Sequence, residues 1–155
     1  MEAVSQSSLR IRQAETSFCF SLSIALIRRY TQLVLWDDLK SKTALEISAL
    51  TPVRGVQLSK ERIIVVLQNS VRVYKFAKPP SLLASYETAH NPWGICCLSP
   101  KTIAFPGRTS GHVQLVEIPS GNVSIIPAHS SSVRAIQLSP DGQLLATASE
   151  TVSDT

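Results

Sequence analysis

Apolar residues in this chain come in short runs separated by polar turns. The segment Val71-Arg72-Val73-Tyr74-Lys75-Phe76 alternates apolar and polar positions, the pattern of a half-buried β-strand whose successive side chains face opposite ways. Two apolar runs precede it, Val53–Ser59 and Arg62–Leu67, and Leu82–Tyr86 follows beyond the break at Pro79-Pro80. The same succession returns downstream as Trp93–Ser99, Thr102–Phe105, Gly111–Ile118 and Asn122–Ile126. It begins again with Val133–Ser139 and Leu144–Ala148, and upstream Ile24–Ile27, Leu33–Leu39 and Ala44–Ile47 read as the last three strands of an earlier copy. No stretch carries the 3.6-residue periodicity of an amphipathic helix.

The runs are copies of one another. Val53-Arg54-Gly55-Val56-Gln57-Leu58-Ser59 aligns with Trp93-Gly94-Ile95-Cys96-Cys97-Leu98-Ser99 and with Val133-Arg134-Ala135-Ile136-Gln137-Leu138-Ser139, and the Leu-Ser pairs recur with a period of 40. In the last copy Ser139-Pro140-Asp141-Gly142 supplies hairpin-turn chemistry. Four strands in about 40 to 45 residues is the signature of a WD-repeat β-propeller blade. The expectation is an all-β chain of about three to four four-stranded blades over residues 22–150, with 1–21 unplaced and 151–155 a divergent tail.

Composition agrees with a folded chain: 155 residues, 44% hydrophobic and 17% charged, are too apolar for intrinsic disorder. A net charge of +4 spread along the chain lacks the dense basic stripe of a nucleic-acid binder, so no nucleic-acid partner is expected. The three cysteines, Cys19, Cys96 and Cys97, are odd in number and two are adjacent, which implies no disulfide framework and fits a reducing compartment. The apolar run Ser17–Ile27 falls short of the roughly 20 residues needed to span a bilayer, and Arg28-Arg29-Tyr30 stands where a cleavage site would need small residues. It reads as a buried strand with its lead-in.

Catalytic chemistry is not expected. No Gly-x-Ser-x-Gly elbow, paired carboxylates or nucleophile–base pattern occurs. Cys96 and Cys97, pointing to opposite faces of one strand, read as buried small residues, with no further metal ligands at suitable spacing. Gly107-Arg108-Thr109-Ser110-Gly111 leads into a strand and reads as a hairpin turn, not a phosphate loop. Trp36 and Trp93 read as blade packing, and His90 as structural or surface. No cofactor is expected.

Several motifs in order carry a resemblance: Trp36-Asp37-Asp38-Leu39-Lys40, Ala104-Phe105-Pro106-Gly107, Gly111-His112-Val113-Gln114-Leu115-Val116, Ile126-Pro127-Ala128-His129 and Ala146-Thr147-Ala148-Ser149-Glu150. From about Ile24 to Glu150 the chain closely resembles the PROPPIN family, the phosphoinositide-binding WD-repeat propellers of autophagy, and most of all its fungal branch. The resemblance implies a non-catalytic, seven-bladed propeller. Such a protein is cytoplasmic and peripheral on vacuolar, endosomal and pre-autophagosomal membranes, with phosphoinositide-containing membranes and autophagy proteins as partners. It grips phosphatidylinositol 3-phosphate or 3,5-bisphosphate at two rim pockets flanking an Arg-Arg-Gly motif. His129 matches the family's pocket histidine, and Thr147 and Ser149 match hydroxyl residues of the adjoining strand, which makes these three the candidate phosphoinositide contacts.

The same residues admit a structural reading. A histidine ahead of a first strand often bonds a hydroxyl of the second strand and an Asp of the turn, and Thr147, Ser149 and Asp141 are placed to complete such a network. After Glu150 the chain departs from the family: Thr151-Val152-Ser153-Asp154-Thr155 stands where an Arg-bearing strand would follow, and the Arg-Arg-Gly motif is absent. At about 40 residues per blade, 155 residues supply under four blades, so the chain reads as an N-terminal fragment whose phosphoinositide binding is weak or absent. The alternatives are a protein-binding WD-repeat scaffold without lipid affinity and a non-functional truncated product.

Overall fold

The computed structural model describes residues 23–28, 31–37 and 39–150. Among them strands alternate with turns and there is no helix, so nothing in this region has the length and apolarity of a membrane-spanning helix. Strands β1 (Ser23–Arg28), β2 (Gln32–Asp37) and β3 (Lys42–Ser48) form a three-stranded sheet, and β4 (Val53–Leu58), β5 (Arg62–Leu67), β6 (Ser70–Lys75) and β7 (Ser81–Glu87) a four-stranded one. A second four-stranded sheet holds β8 (Cys97–Leu98), β9 (Thr102–Pro106), β10 (His112–Glu117) and β11 (Val123–Pro127), and β12 (Val133–Leu138) pairs with β13 (Leu145–Ser149). Within each sheet every strand pairs antiparallel with its neighbour in sequence. The repeat read from the Leu-Ser spacing is therefore one sheet per period.

The sheets stack, and the core lies in the layers between them. Leu33, Leu35, Leu45 and Ile47 of the first sheet meet Val53, Val56, Ile63, Val65 and Leu67 of the second. The other face of the second sheet, through Ile64, Val66, Val71 and Val73, meets Ile103, Phe105 and Val116 of the third. Ala104 and Val113, on the far face of the third sheet, meet Val133, Ile136 and Leu138 of the last. The unbroken apolar run Ile63–Leu67 of β5 follows directly: alternate residues enter two different cores, so none of these five faces water. Each such side chain contributes about 1.5–3 kcal/mol on burial. Tyr86 and Phe105 extend the second layer outward, their rings 5.4 Å apart and tilted by 40°.

One strand departs from the sequence expectation. The run Trp93–Ser99 yields ladder pairing only at Cys97–Leu98. Pro92 removes a donor, and Gly94 at φ 63° turns the chain away from extended geometry. The buried Asn91 side chain satisfies Ile95 instead, its Oδ1 accepting from Ile95 N at 2.9 Å and its Nδ2 donating to Ile95 O at 3.1 Å. The detour lets two backbones touch: a Cβ on Gly55 would sit 2.8 Å from the Gly94 carbonyl oxygen, and one on Gly94 would sit 2.2 Å from that of Arg54. Trp93 is left 63% exposed, so it is not the blade-packing residue expected.

Gly94→Ala should destabilise the chain by roughly 2–5 kcal/mol, combining left-handed strain with a backbone clash. Gly121→Ala, at φ 73° but with open space around it, should cost only about 1–2 kcal/mol. Urea unfolding of the two variants checks the difference, and equal losses would contradict the contact between β4 and the Gly94 turn.

Candidate functional site

The chain enters the last sheet through Ala128-His129, and the turn between β9 and β10 holds that entry in place. Gly111, at φ 84°, accepts the His129 N–H on its carbonyl at 3.0 Å, and a Cβ there would lie 2.0 Å from the His129 carbonyl oxygen. Ser110 and Ser132 bond through their hydroxyls at 3.0 Å beside it. With its backbone fixed, His129 reaches β13, where Nε2 lies 2.9 Å from Thr147 Oγ1.

Thr147 and Ser149 stand two apart on β13 and so share a face, together with Leu145, which packs onto the third core. Register places Thr147 opposite Ile136 and Ser149 opposite Val133, both members of that core. The structure thus brings His129 and Thr147 into direct contact and sets Ser149 one step along the same half-buried face. Asp141 is not part of this network. It lies in the Leu138–Leu145 turn at the other end of the hairpin, bonded to Ser139 Oγ and to the Gln143 N–H at 3.0 Å. These bonds, Ser139 first, hold its carboxyl below the ordinary value of 3.8. Stability from them is present above that value and is lost as pH falls through the lower folded-state value.

Sequence reasoning missed Arg134. The ladder of β12 is irregular between Val133 and Ala135, and Arg134 sits at that point, at the Ser149 end of the hairpin. Its guanidinium lies 4.4 Å from the centre of the Trp93 ring and donates to Glu150 Oε1 at 2.9 Å. A clue was present: the period aligns Arg134 with Arg54, and each arginine binds the residue just past the second strand of its own sheet. For Arg54 that residue is Gln68, whose Oε1 accepts at 3.2 Å and whose Nε2 contacts His90 Nδ1 at 3.1 Å. His90 is accordingly exposed and structural.

Cys96 and Cys97, expected to be buried, are half-buried. Cys96 packs with the second core and Cys97 with the third, on opposite sides of β8, and Cys97 Sγ accepts from the Leu138 N–H at 3.3 Å. Burial, and then the adjacent Cys97, push the Cys96 thiol far above its ordinary value. Residues 107–111 form a hairpin turn closed by Gly107 N to His112 O at 2.7 Å. Among the described residues no three His, Cys, Asp or Glu side chains converge on a metal position. Cys19 and the tail 151–155 lie outside the described residues, as do residues 1–21.

No protein-family model matches this chain. It is 60% identical over 119 residues to SVP1-like protein 2 of Neurospora crassa, covering 77% of this chain and 28% of that protein. It is 34% identical over 124 residues to Autophagy-related protein 18e of Arabidopsis thaliana, covering 76% and 32%. The chain thus spans about a third of the length of these curated relatives. Among solved structures, Kluyveromyces lactis Hsv2 superposes with a TM-score of 0.73 at 20% identity, over 86% of this chain and 43% of that one. KlAtg21, in its complex with the coiled coil of AgAtg16, superposes at 0.67 and 20%, over 83% and 45%. The stacked sheets described above are successive blades of a β-propeller.

Thr147→Val should cost about 1 kcal/mol by leaving the half-buried imidazole nitrogen without its partner, read as a lower urea midpoint at unchanged slope. Cys96 should add a pH dependence. Its folded-state value is raised, so the stability it contributes is complete below the ordinary thiol value of 9.0 and falls as pH rises above it. Cys96→Ala should flatten the decline of the melting temperature between pH 9 and 10.5 (a range centred on thiol ionisation, about 8.5–9); an unchanged slope would contradict the buried, neutral thiol.

Proposed function

This chain belongs to the PROPPIN family of β-propellers, and from that premise we propose that it serves as a peripheral membrane propeller segment of autophagy and vacuolar trafficking. On this reading residues 22–150 form the propeller segment, which works from the cytoplasm. It contributes part of a pocket for phosphatidylinositol 3-phosphate or 3,5-bisphosphate. The observation that carries the proposal is the grouping of His129, Thr147 and Ser149 at one end of the last hairpin, with Arg134 at the same end. The side chains of His129, Thr147 and Ser149 are each only half-buried, so a ligand can reach them.

The chemistry suits an inositol phosphate. Two hydroxyls and an imidazole donate to phosphate or ring oxygens, and each can accept as well as donate. The strength does not. Neutral donors contribute about 1 kcal/mol each after exchange with water, against about 1.5–3 for charge-assisted bonds, and association alone costs at least about 4 kcal/mol. Arg134 is the cation at hand, and Glu150 occupies it. Thr147 must also share its hydroxyl between His129 and the ligand. Binding by this segment is therefore weak, with Glu150 acting as an internal competitor for the guanidinium.

A second reading has its own support. The His129–Thr147 bond joins half-buried groups beside the third core, as a structural latch would, and KlAtg21 has been solved with a protein coiled coil. On that reading the segment is a scaffold for autophagy proteins with no lipid pocket.

Flotation with vesicles containing phosphatidylinositol 3-phosphate, against vesicles of equal charge lacking it, separates the two. Under the lipid reading the chain floats weakly but preferentially with the 3-phosphate. Thr147→Val combined with Ser149→Ala abolishes the preference, and Glu150→Gln strengthens it by about threefold to tenfold, within the worth of one charge-assisted bond. Flotation indifferent to the 3-phosphate and to all three substitutions would leave the scaffold reading.

A further inference from the structure

We propose that Arg54, Gln68 and His90 form an anion site that takes a phosphate group and is separate from the His129 pocket. The three come from different parts of the fold: Arg54 from β4, Gln68 from just past β5, and His90 from the segment that leaves β7. Their side chains meet in a row. The Arg54 guanidinium lies 3.2 Å from Gln68 Oε1, and Gln68 Nε2 lies 3.1 Å from His90 Nδ1. Arg54 and His90 are exposed and Gln68 is half-buried, so both ends of the row are open to solvent. None of these residues belongs to the last hairpin, so the site stands whether or not that hairpin holds lipid.

The first member fixes the polarity of the row. A guanidinium only donates, so the amide turns its oxygen to Arg54 and its nitrogen to His90. His90 Nδ1 therefore accepts, and the ring proton sits on Nε2 as a further donor. The guanidinium spends one N–H on Gln68 and keeps the rest of its fork, with no carboxylate partner among the described residues. Glu87, which ends β7 opposite Ser70, is itself held by Arg108 at 3.0 Å. Backbone contacts make the arrangement rigid: the Gln68 carbonyl accepts the Asn91 N–H at 2.7 Å, and the Asn69 carbonyl accepts that of Thr88 at 2.9 Å. The result is an arginine that is positioned without being neutralised. A phosphate fits the guanidinium fork through charge-assisted bonds and has an oxygen to spare for the imidazole N–H.

The repeat supplies an internal comparison. Val53 pairs with Leu67 as Val133 pairs with Ser149, so Arg54 and Arg134 lie at the same end of equivalent hairpins. Each sits in the same irregularity of its ladder, between Val53 and Gly55 in one case and between Val133 and Ala135 in the other. A bulge at such a point re-aims the side chain it carries. The two hairpins differ in what receives the guanidinium. In the last one it is the Glu150 carboxylate, which cancels the charge, and in the second sheet it is the Gln68 amide, which does not. Of the two arginines, Arg54 is the one left to bind an anion. A phosphorylated lipid headgroup and a soluble phosphate ester both offer the required group.

The test titrates the full, isotope-labelled chain with inorganic phosphate and follows the Arg54 side-chain and His90 ring signals by NMR. Both signals should move together and saturate, starting from a His90 ring that carries its proton on Nε2. Gln68→Glu, which copies the Arg134–Glu150 arrangement and keeps the guanidinium held, should weaken phosphate binding about tenfold or more, the worth of one charge-assisted bond. Arg54→Gln should do the same. Because both signals belong to this site, phosphate held at His129 does not register, and failure of one site is distinct from failure of the other. Flotation with vesicles containing phosphatidylinositol 3-phosphate, against equal-charge vesicles, then identifies the source. Where Arg54→Gln weakens a preference for the 3-phosphate, the group is a headgroup's; where flotation is indifferent to it, the group is a soluble ester's. The proposal is overturned where phosphate moves neither signal, or where chloride at equal ionic strength moves both as far. It is also overturned where Gln68→Glu binds phosphate as tightly as the wild type.

Discussion

The second and third sheets each have a neighbour on both sides, and their inner strands are mostly apolar on both faces, dry only because the next sheet covers them. β5 shows the constraint most plainly: Ile63, Val65 and Leu67 serve one core while Ile64 and Val66 serve the next. No sheet owns a core of its own, so stability accumulates in the layers between neighbours, as in repeat proteins generally. The period follows from the same constraint. A repeated unit that must cover its predecessor and be covered by its successor has to present the same pattern of faces each time.

Stacking sheets this way demands that their inner strands and entry loops come close, and the chain meets the demand with backbone instead of side chain. Gly55 faces the Gly94 turn, Gly111 faces His129, and a Cβ on Gly142 would lie 2.8 Å from Ser99 Oγ. The candidate pocket inherits its geometry from one of these approaches. His129 points at Thr147 because Gly111 fixes the peptide units on which it sits. The site is thus placed by the same contacts that join two blades, so its precision depends on their docking.

The strands and their grouping were legible in the sequence because alternation and the recurring Leu-Ser pairs are properties of single positions and fixed spacings. The exception, Trp93–Ser99, shows the limit: an apolar run aligned with two true strands loses most of its ladder to Pro92, Gly94 and the Asn91 side chain. Of the pocket, the His129–Thr147 contact could be foreseen as a pattern, while the exclusion of Asp141 could not, since residue types alone do not say to which end of a hairpin a turn belongs. Arg134 was concealed by its apolar surroundings in β12, and its partners lie in other elements. The burial of Gln114 gave no sign at all, because a polar residue in an alternating strand reads as solvent-facing until the neighbouring sheet is seen to cover it.

The Trp93–Arg134 contact has an optical consequence. The chain contains two tryptophans; Trp36 lies half-buried in the first sheet, while Trp93 stands on the approach to the third and rests on a guanidinium supplied by the last. A cation held 4.4 Å from an indole face perturbs its excited state, and that cation is present only while the final hairpin is seated. With Trp36 replaced by phenylalanine, the emission of the remaining indole becomes a built-in gauge of whether the last two blades are joined.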